Sequence, residues 1–297
     1  MKQKHPFRTE ALKALVYWIT ERELIRHHKE AGHARPWTKD PILAKYRFCN
    51  VDRNDDAVTQ WIHSHWLHPF GGDSNLWFAM VVARLLNLPE CLLEAQKAVF
   101  SGGGSVRWLP SVFVATLSYR RATGAKLFNA AYIVSTNGHA MDKVEYLAAR
   151  VLTPLWEARR QVSPNSCDTL ETFHKTLTMY DGLGSFMAAQ VVADIKYDPR
   201  SPLNNAPDFR TWAASGPGSR RGMNRLFERP ADAPYREQQW RADMAILCDV
   251  LWSDPKLAPY HEKLTAQNVQ NCLCEFDKYM RAKRGEGEPK QLYRSKV

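Results

Sequence analysis

Apolar residues in this chain recur at helical spacing almost from end to end, and clean alternation is nearly absent. Leu12, Leu15, Val16 and Ile19 share one helical face, as do Leu76, Trp77, Met80, Val81 and Leu85. The pattern returns in Val144, Leu147, Val151 and Leu152, in Leu170, Phe173, Leu177 and Tyr180, and in Val269, Cys272, Leu273, Phe276, Tyr279 and Met280. Intervals of three and four stack side chains on one side of a helix, whereas a half-buried strand needs an interval of two. Only residues 106–114 are ambiguous. The spacing predicts an all-α, multi-helix protein of about ten or more helices, without an internal repeat.

The chain's 297 residues suffice for one large domain or two modest ones. Its net charge of +10 favours a polyanionic partner without choosing among nucleic acid, anionic lipid and solubility. The most apolar stretch, residues 76–88, is broken by Arg84 and Asn87, so no membrane span is expected, and no signal peptide is visible at the amino terminus. The six cysteines include no Cys-x-x-Cys pair, which argues against structural zinc and iron–sulfur clusters and for reduced thiols in a cytosolic protein.

Between the helices lie two irregular stretches, residues 31–41 and 198–222, the second rich in Pro, Gly and Asn. Loops of that length inside a compact domain are usually functional or disordered. The tail, residues 281–297, is basic and poor in apolar residues, and reads either as a DNA-stabilised arm or as a solvated end.

Chemistry concentrates at a few places. In Asp181-Gly182-Leu183-Gly184-Ser185 two glycines permit a tight turn, and the helix that follows, running to Lys196, offers free N–H groups to a phosphate oxygen. With Ala188 this resembles the helix-hairpin-helix element of the DNA-glycosylase superfamily, spanning about residues 168–197. An ordinary helix–turn–helix corner has the same local chemistry. In that superfamily an aspartate after the hairpin faces the flipped nucleotide. Asp208 matches it and is equally suited to cap a helix. Phe186 stands where lyase-type members carry a lysine, so Schiff-base strand cleavage is unsupported.

The segment GPGSRRG (216–222) pairs glycines with Ser219, Arg220 and Arg221, a composition suited to phosphate oxygens, though it lacks the Walker spacing of a P-loop. A basic surface turn is the plainer interpretation. Residues 48–61 have helical spacing that would put Asn50, Arg53, Asp56 and Gln60 on one side, as a polar ligand site or a solvated face. Glu275 and Lys278, three residues apart, read in isolation as a surface salt bridge.

Four segments in order, PWTKDPIL (36–43), YRFCNVDR (46–53), GPGSRRG (216–222) and LCEFDKY (273–279), resemble the α-glutamyl/putrescinyl thymine pyrophosphorylase family of bacteriophages. The matches span roughly residues 36–280. The family's Phe-Thr-Asn-Val reads Phe48-Cys49-Asn50-Val51 here. The resemblance implies a helix-hairpin-helix, DNA-glycosylase-like fold forming one catalytic unit, in one or two lobes, over residues 1–280. It implies an amino acid:DNA transferase that displaces pyrophosphate from 5-pyrophosphoryloxymethyl-deoxyuridine in DNA with the amine of an amino acid, glycine being the first guess.

On that reading Asp208, Arg53 and Asn50 are catalytic, and Gly218, Ser219, Arg220 and Arg221 hold the pyrophosphate. Asp56, Gln60, Trp37, Glu275 and Lys278 contact substrate, while Gly182, Gly184, Ser185 and Lys196 contact DNA. The expected partners are double-stranded DNA carrying the pyrophosphorylated base and a free amino acid, acted on by a monomer in the cytoplasm of the infected host. No cofactor is required; Mg2+ on the pyrophosphate is compatible by analogy, but no ligand cluster demands it. The rival readings are a DNA glycosylase acting on a modified base and a non-catalytic DNA-binding protein.

Overall fold

The computed structural model of the chain describes residues 5–129 and 135–293. Its helices are α1 (Thr9–Glu30), α2 (Pro41–Lys45), α3 (Ala57–Ile62), α4 (Leu76–Leu86), α5 (Pro89–Val99), α6 (Pro110–Ala122) and α7 (Lys143–Tyr146). They continue with α8 (Thr153–Glu157), α9 (Arg159–Val162), α10 (Leu170–Thr178), α11 (Ser185–Ile195), α12 (Pro217–Leu226), α13 (Glu237–Trp252) and α14 (Ala266–Lys283). Among the described residues there is no strand, only two isolated bridges, Tyr46 with Leu292 and Phe100 with Val106. The protein is all-α, as its periodicity predicts. The ambiguous stretch 106–114 divides, Val106 bridging and Pro110 starting α6.

The chain divides into two compact units. One combines the residues up to Asp56 with those from Arg210 onward; the other is the continuous segment Ala57–Phe209.

In the first unit, α1, α2, α12 and α13 pack on α14. Thr265 caps α14, and Val269, Cys272, Leu273, Phe276 and Tyr279 bury its apolar side with Trp18, Phe48 and Trp240. The closest packing is with α12, which begins inside the stretch expected to be an irregular loop. Pro217 takes the first helical position, where its missing N–H costs nothing. Gly222 lies against the Leu273 backbone, where an added Cβ would sit 3.0 Å from the Leu273 Cα, and Gly218 lies against Cys274. Spaced one turn apart, these glycines let two helix backbones approach.

The carboxyl-terminal segment is not a free arm as far as it is described. Arg47 N–H donates to the Gln291 carbonyl at 2.9 Å and Tyr293 N–H to the Lys45 carbonyl at 3.1 Å, and Pro289 is buried. Residues 294–297 of the expected basic tail lie outside the described residues.

In the second unit every residue of α4 is buried, and α11 packs along it. The charge that breaks the apolar run, Arg84, is held inside by Asp194, which also takes His63 Nε2 at 3.2 Å; Thr59 and Asn87 accept from the same guanidinium. Full pairing makes a buried charge tolerable. Asn87, at φ 48°, ends α4 in the left-handed conformation.

Candidate functional site

The segments expected to carry chemistry do not all meet. Those of the first unit converge on α14. Tyr279 hydroxyl donates to Asp40 Oδ2 at 2.8 Å, while Asp40 Oδ1 caps α2 through the Ile42 and Leu43 N–H groups. Cys49 N–H donates to Glu275 Oε2 at 3.2 Å, and Asn271 Nδ2 to the Asn50 carbonyl at 3.2 Å. Arg221 Nε and Arg225 Nε donate to the two oxygens of buried Asp277, at 2.9 and 2.7 Å. The other three segments therefore touch, within a few turns, the helix that contains the fourth.

Residues 48–56 are not the expected helix. Asp52 caps a single 3-10 turn, Arg53–Asp55, and Asp56 turns extended before α3 starts. Short Asp and Asn side chains compete with helical hydrogen bonds here: Asp52 accepts from Asn54 N–H, and Asp56 Oδ1 accepts from Asn50 N–H at 3.0 Å. Asn50 is the hub of this loop. Its Oδ1 accepts from buried Arg22 at 2.6 Å and its Nδ2 donates to the Asp55 carbonyl at 2.7 Å, so its polar groups position neighbours. Gln60, expected on the same face, lies exposed on α3 in the other unit.

The loop and α14 together make a polar cluster. Glu275, 3% exposed, spends one oxygen on Cys49 N–H and the other on Lys278 Nζ at 2.5 Å. The pair read as a surface salt bridge is thus anchored in the interior at its acidic end. Burial would lower the Lys278 ammonium, but Glu275 outweighs it and holds the group above its ordinary value.

Asp56 differs. Burial pushes its carboxyl up to about 6, against the Asn50 N–H and the guanidiniums of Arg53 and Arg22. Among the described residues its Oδ2 has no donor, so a carboxylate that titrates near neutrality keeps free lone pairs. Burial, reinforced by Glu275 and Asp56, pushes the Cys49 thiol well up. Solvent reaches Cys49, so that burial is crowding by surrounding protein rather than enclosure, and the thiol stays protonated. What the cluster offers is a proton acceptor, Asp56, near cations suited to an anion.

Several expectations are corrected. Ser219 is fully buried, and its hydroxyl bonds the Gly216 N–H and carbonyl, closing the start of α12 rather than facing a phosphate. Gly218 serves helix packing. Arg220 is half-exposed and paired with Ser215 and Glu237, and Arg221 is paired with Asp277. Asp208 belongs to the second unit, where its oxygens accept from Leu170 N–H at 2.8 Å and Glu171 N–H at 3.0 Å. It caps α10, satisfying orphan donors at a positive helix end. Lys196 is 1% exposed and donates to the Phe209 carbonyl, too deep to reach DNA. Trp37 is partly buried, its indole N–H on the His33 carbonyl.

The hairpin between α10 and α11 does form. Gly182 takes φ +74° where a Cβ would meet Val151 at 2.6 Å, so glycine is required. Asp181 pins the turn, accepting from Asn137 Nδ2, Tyr146 hydroxyl and Gly182 N–H. Gly184, Ser185 and half-exposed Phe186 line an open pocket of about 410 Å³. Among the described residues no three His, Cys, Asp or Glu side chains group to hold a metal ion, and no helix is long and apolar enough to cross a membrane.

An all-helical protein that gathers its polar cluster on one interior helix is the class these observations define. The chain matches the family described as 5-hmdU DNA kinase, helical domain, over residues 9–288, and belongs to that family. The 5-hmdU DNA kinase of Bacillus phage SP10 is 26% identical over 230 residues, 71% of this chain. The chain spans about a third of that curated relative, 35% of its length. No solved structure matches. The resemblance to the thymine pyrophosphorylases and the match to the kinase helical domain agree on phage thymine hypermodification, and no more finely than that.

Proposed function

We propose that this chain acts on hypermodified thymine in phage DNA as an amino acid:DNA transferase. It would displace pyrophosphate from 5-pyrophosphoryloxymethyl-deoxyuridine with an amine, leaving the base on its sugar. The observation that carries this reading is Asp56, a carboxyl raised to about 6 whose Oδ2 has no donor among the described residues, facing Arg53 and Arg22 in a cluster where both it and Lys278 act on Cys49. Membership in a helical-domain family, together with the missing Walker spacing, favours a step other than phosphoryl transfer from a nucleotide for these residues.

In the proposed step Asp56 takes a proton from the incoming ammonium, freeing the nitrogen lone pair. That nitrogen attacks the methylene on C5, and the carbon–oxygen bond breaks with its electron pair leaving on pyrophosphate. Lys278 and Arg53 offset the charge that develops on the leaving group, with any magnesium arriving on the pyrophosphate as substrate. A positioned base contributes about 10² to 10⁴ in rate, and a hydrogen bond to a charged group about 1.5–3 kcal/mol. The α10–α11 hairpin offers N–H groups to the DNA backbone, and the base leaves the stack at a cost of a few kcal/mol.

A second reading is favoured by the relative's name: a module that presents DNA to a phosphoryl-transfer enzyme without chemistry of its own. Mass spectrometry of nucleosides from pyrophosphorylated DNA, incubated with the protein and isotopically labelled amino acids, separates the two. Transfer gives a heavier nucleoside carrying the label. Free base with abasic sites would mean a glycosylase, and the absence of any amino-acid-dependent product would leave the presenting module.

A further inference from the structure

A second surface of the first unit has the composition of an anion-binding groove. The bridge between Tyr46 and Leu292 brings residues 289–293 beside residues 45–47. This builds a groove of about 650 Å³ lined by Lys29, Arg47 and Lys290, with Trp37 and Tyr293 as aromatic walls. Trp37 and Tyr293 meet edge to face at 5.4 Å, and the Arg35 guanidinium lies 4.9 Å from the Tyr293 ring centre. No carboxylate is among the lining residues. Elsewhere the first unit pairs its cations freely: Arg26 with Glu23 and Glu30, Lys263 with Asp55, Arg225 with Asp277 and Glu286.

Like charges gathered without a counter-charge repel, and they gain most from a polyanion laid across them. Aromatic walls beside them suit a sugar or base edge. We propose that this groove binds the phosphodiester backbone of the DNA substrate, away from the reacting nucleotide. The proposal rests on the reading above that DNA is the substrate.

The test is the salt dependence of binding to a labelled duplex containing 5-hydroxymethyluracil, followed by fluorescence anisotropy. The triple variant Lys29→Gln, Arg47→Gln, Lys290→Gln changes only exposed side chains. Each lost phosphate contact lowers the slope of log Kd against log salt by about 0.9, so the triple loses about 2 to 3. A second triple outside the groove, Lys97→Gln, Lys126→Gln, Lys256→Gln, removes the same charge from exposed positions and shifts the slope by less than about 1. Equal slopes for the two triples, with the wild-type protein still binding DNA, overturn the groove and leave the proposed function standing. A wild-type protein that binds no DNA overturns both. Pyrophosphate or ATP bound by the wild type and lost in the groove triple, with the DNA slope unchanged, assigns the groove to a small phosphate ligand and overturns the proposal.

Discussion

Glu275 accepts the Cys49 backbone N–H at 3.2 Å, joining residues 226 positions apart and fixing the loop that carries Asp56 against α14. The bond sets the electrostatics of the whole cluster, because the buried carboxylate that holds the loop also holds Lys278.

Asp56→Asn removes an acceptor in that cluster whose Oδ2 has no donor among the described residues and whose carboxyl burial raises to about 6. We expect transfer to slow by about 10² to 10⁴ with DNA affinity unchanged, measured by single-turnover nucleoside analysis and anisotropy. The wild-type rate should rise with pH through a midpoint near 6, because the deprotonated carboxyl is the active form and burial raises its pKa to that value. The variant should lose that limb.

Asp208→Ala tests the capping role. Loss of an N-terminal cap costs about 0.5–2 kcal/mol, so thermal melting should fall by a few degrees. The transfer rate per folded molecule should not change. A rate collapse without a stability loss would return Asp208 to the chemistry.

Gly222→Ala drives a methyl into the Leu273 backbone. Backbone cannot rotate aside as a side chain can, so the helices must separate, at a cost of about 1–3 kcal/mol in chemical denaturation. An unchanged midpoint would mean that α12 and α14 are less tightly packed than described.

Asp277→Ala removes the buried carboxylate shared by Arg221 and Arg225 and leaves Arg225, which is 3% exposed, with Glu286 as its remaining carboxylate partner. Removing one partner of a buried pair costs about 3–5 kcal/mol. Arg221→Ala, from the half-exposed member of the trio, should cost less than half as much. Equal losses would show that burial does not set the order.

The helices were legible because their signal is local. The apolar faces of α1, α4, α10 and α14 lie in the sequence at intervals of three and four, and the glycines at 182 and 184 mark a turn between helices that the structure contains. The loop at 48–56 misleads for an equally local reason: its polar residues have helical spacing, but Asp52, Asn50 and Asp56 satisfy the backbone themselves. The glycines of GPGSRRG suggested an anion loop because composition cannot distinguish a backbone that approaches a phosphate from one that approaches a helix. The four-residue spacing of Gly218 and Gly222, and of Arg221 and Arg225, was the available sign that this segment is a helix packed on another.

By itself the sequence determined the secondary structure, the surplus of positive charge and the absence of a P-loop, all properties of neighbours along the chain. The tertiary structure decided which carboxylates are spent on both oxygens and which keep one without a donor. Asp208 and Asp277 look no different from Asp56 as letters, yet one caps α10, one is clamped by two arginines, and one is left half-satisfied in a crowded site. The reason is physical: the acidity of a carboxyl is set by the solvent it loses and the donors it gains, and both come from segments far away in sequence.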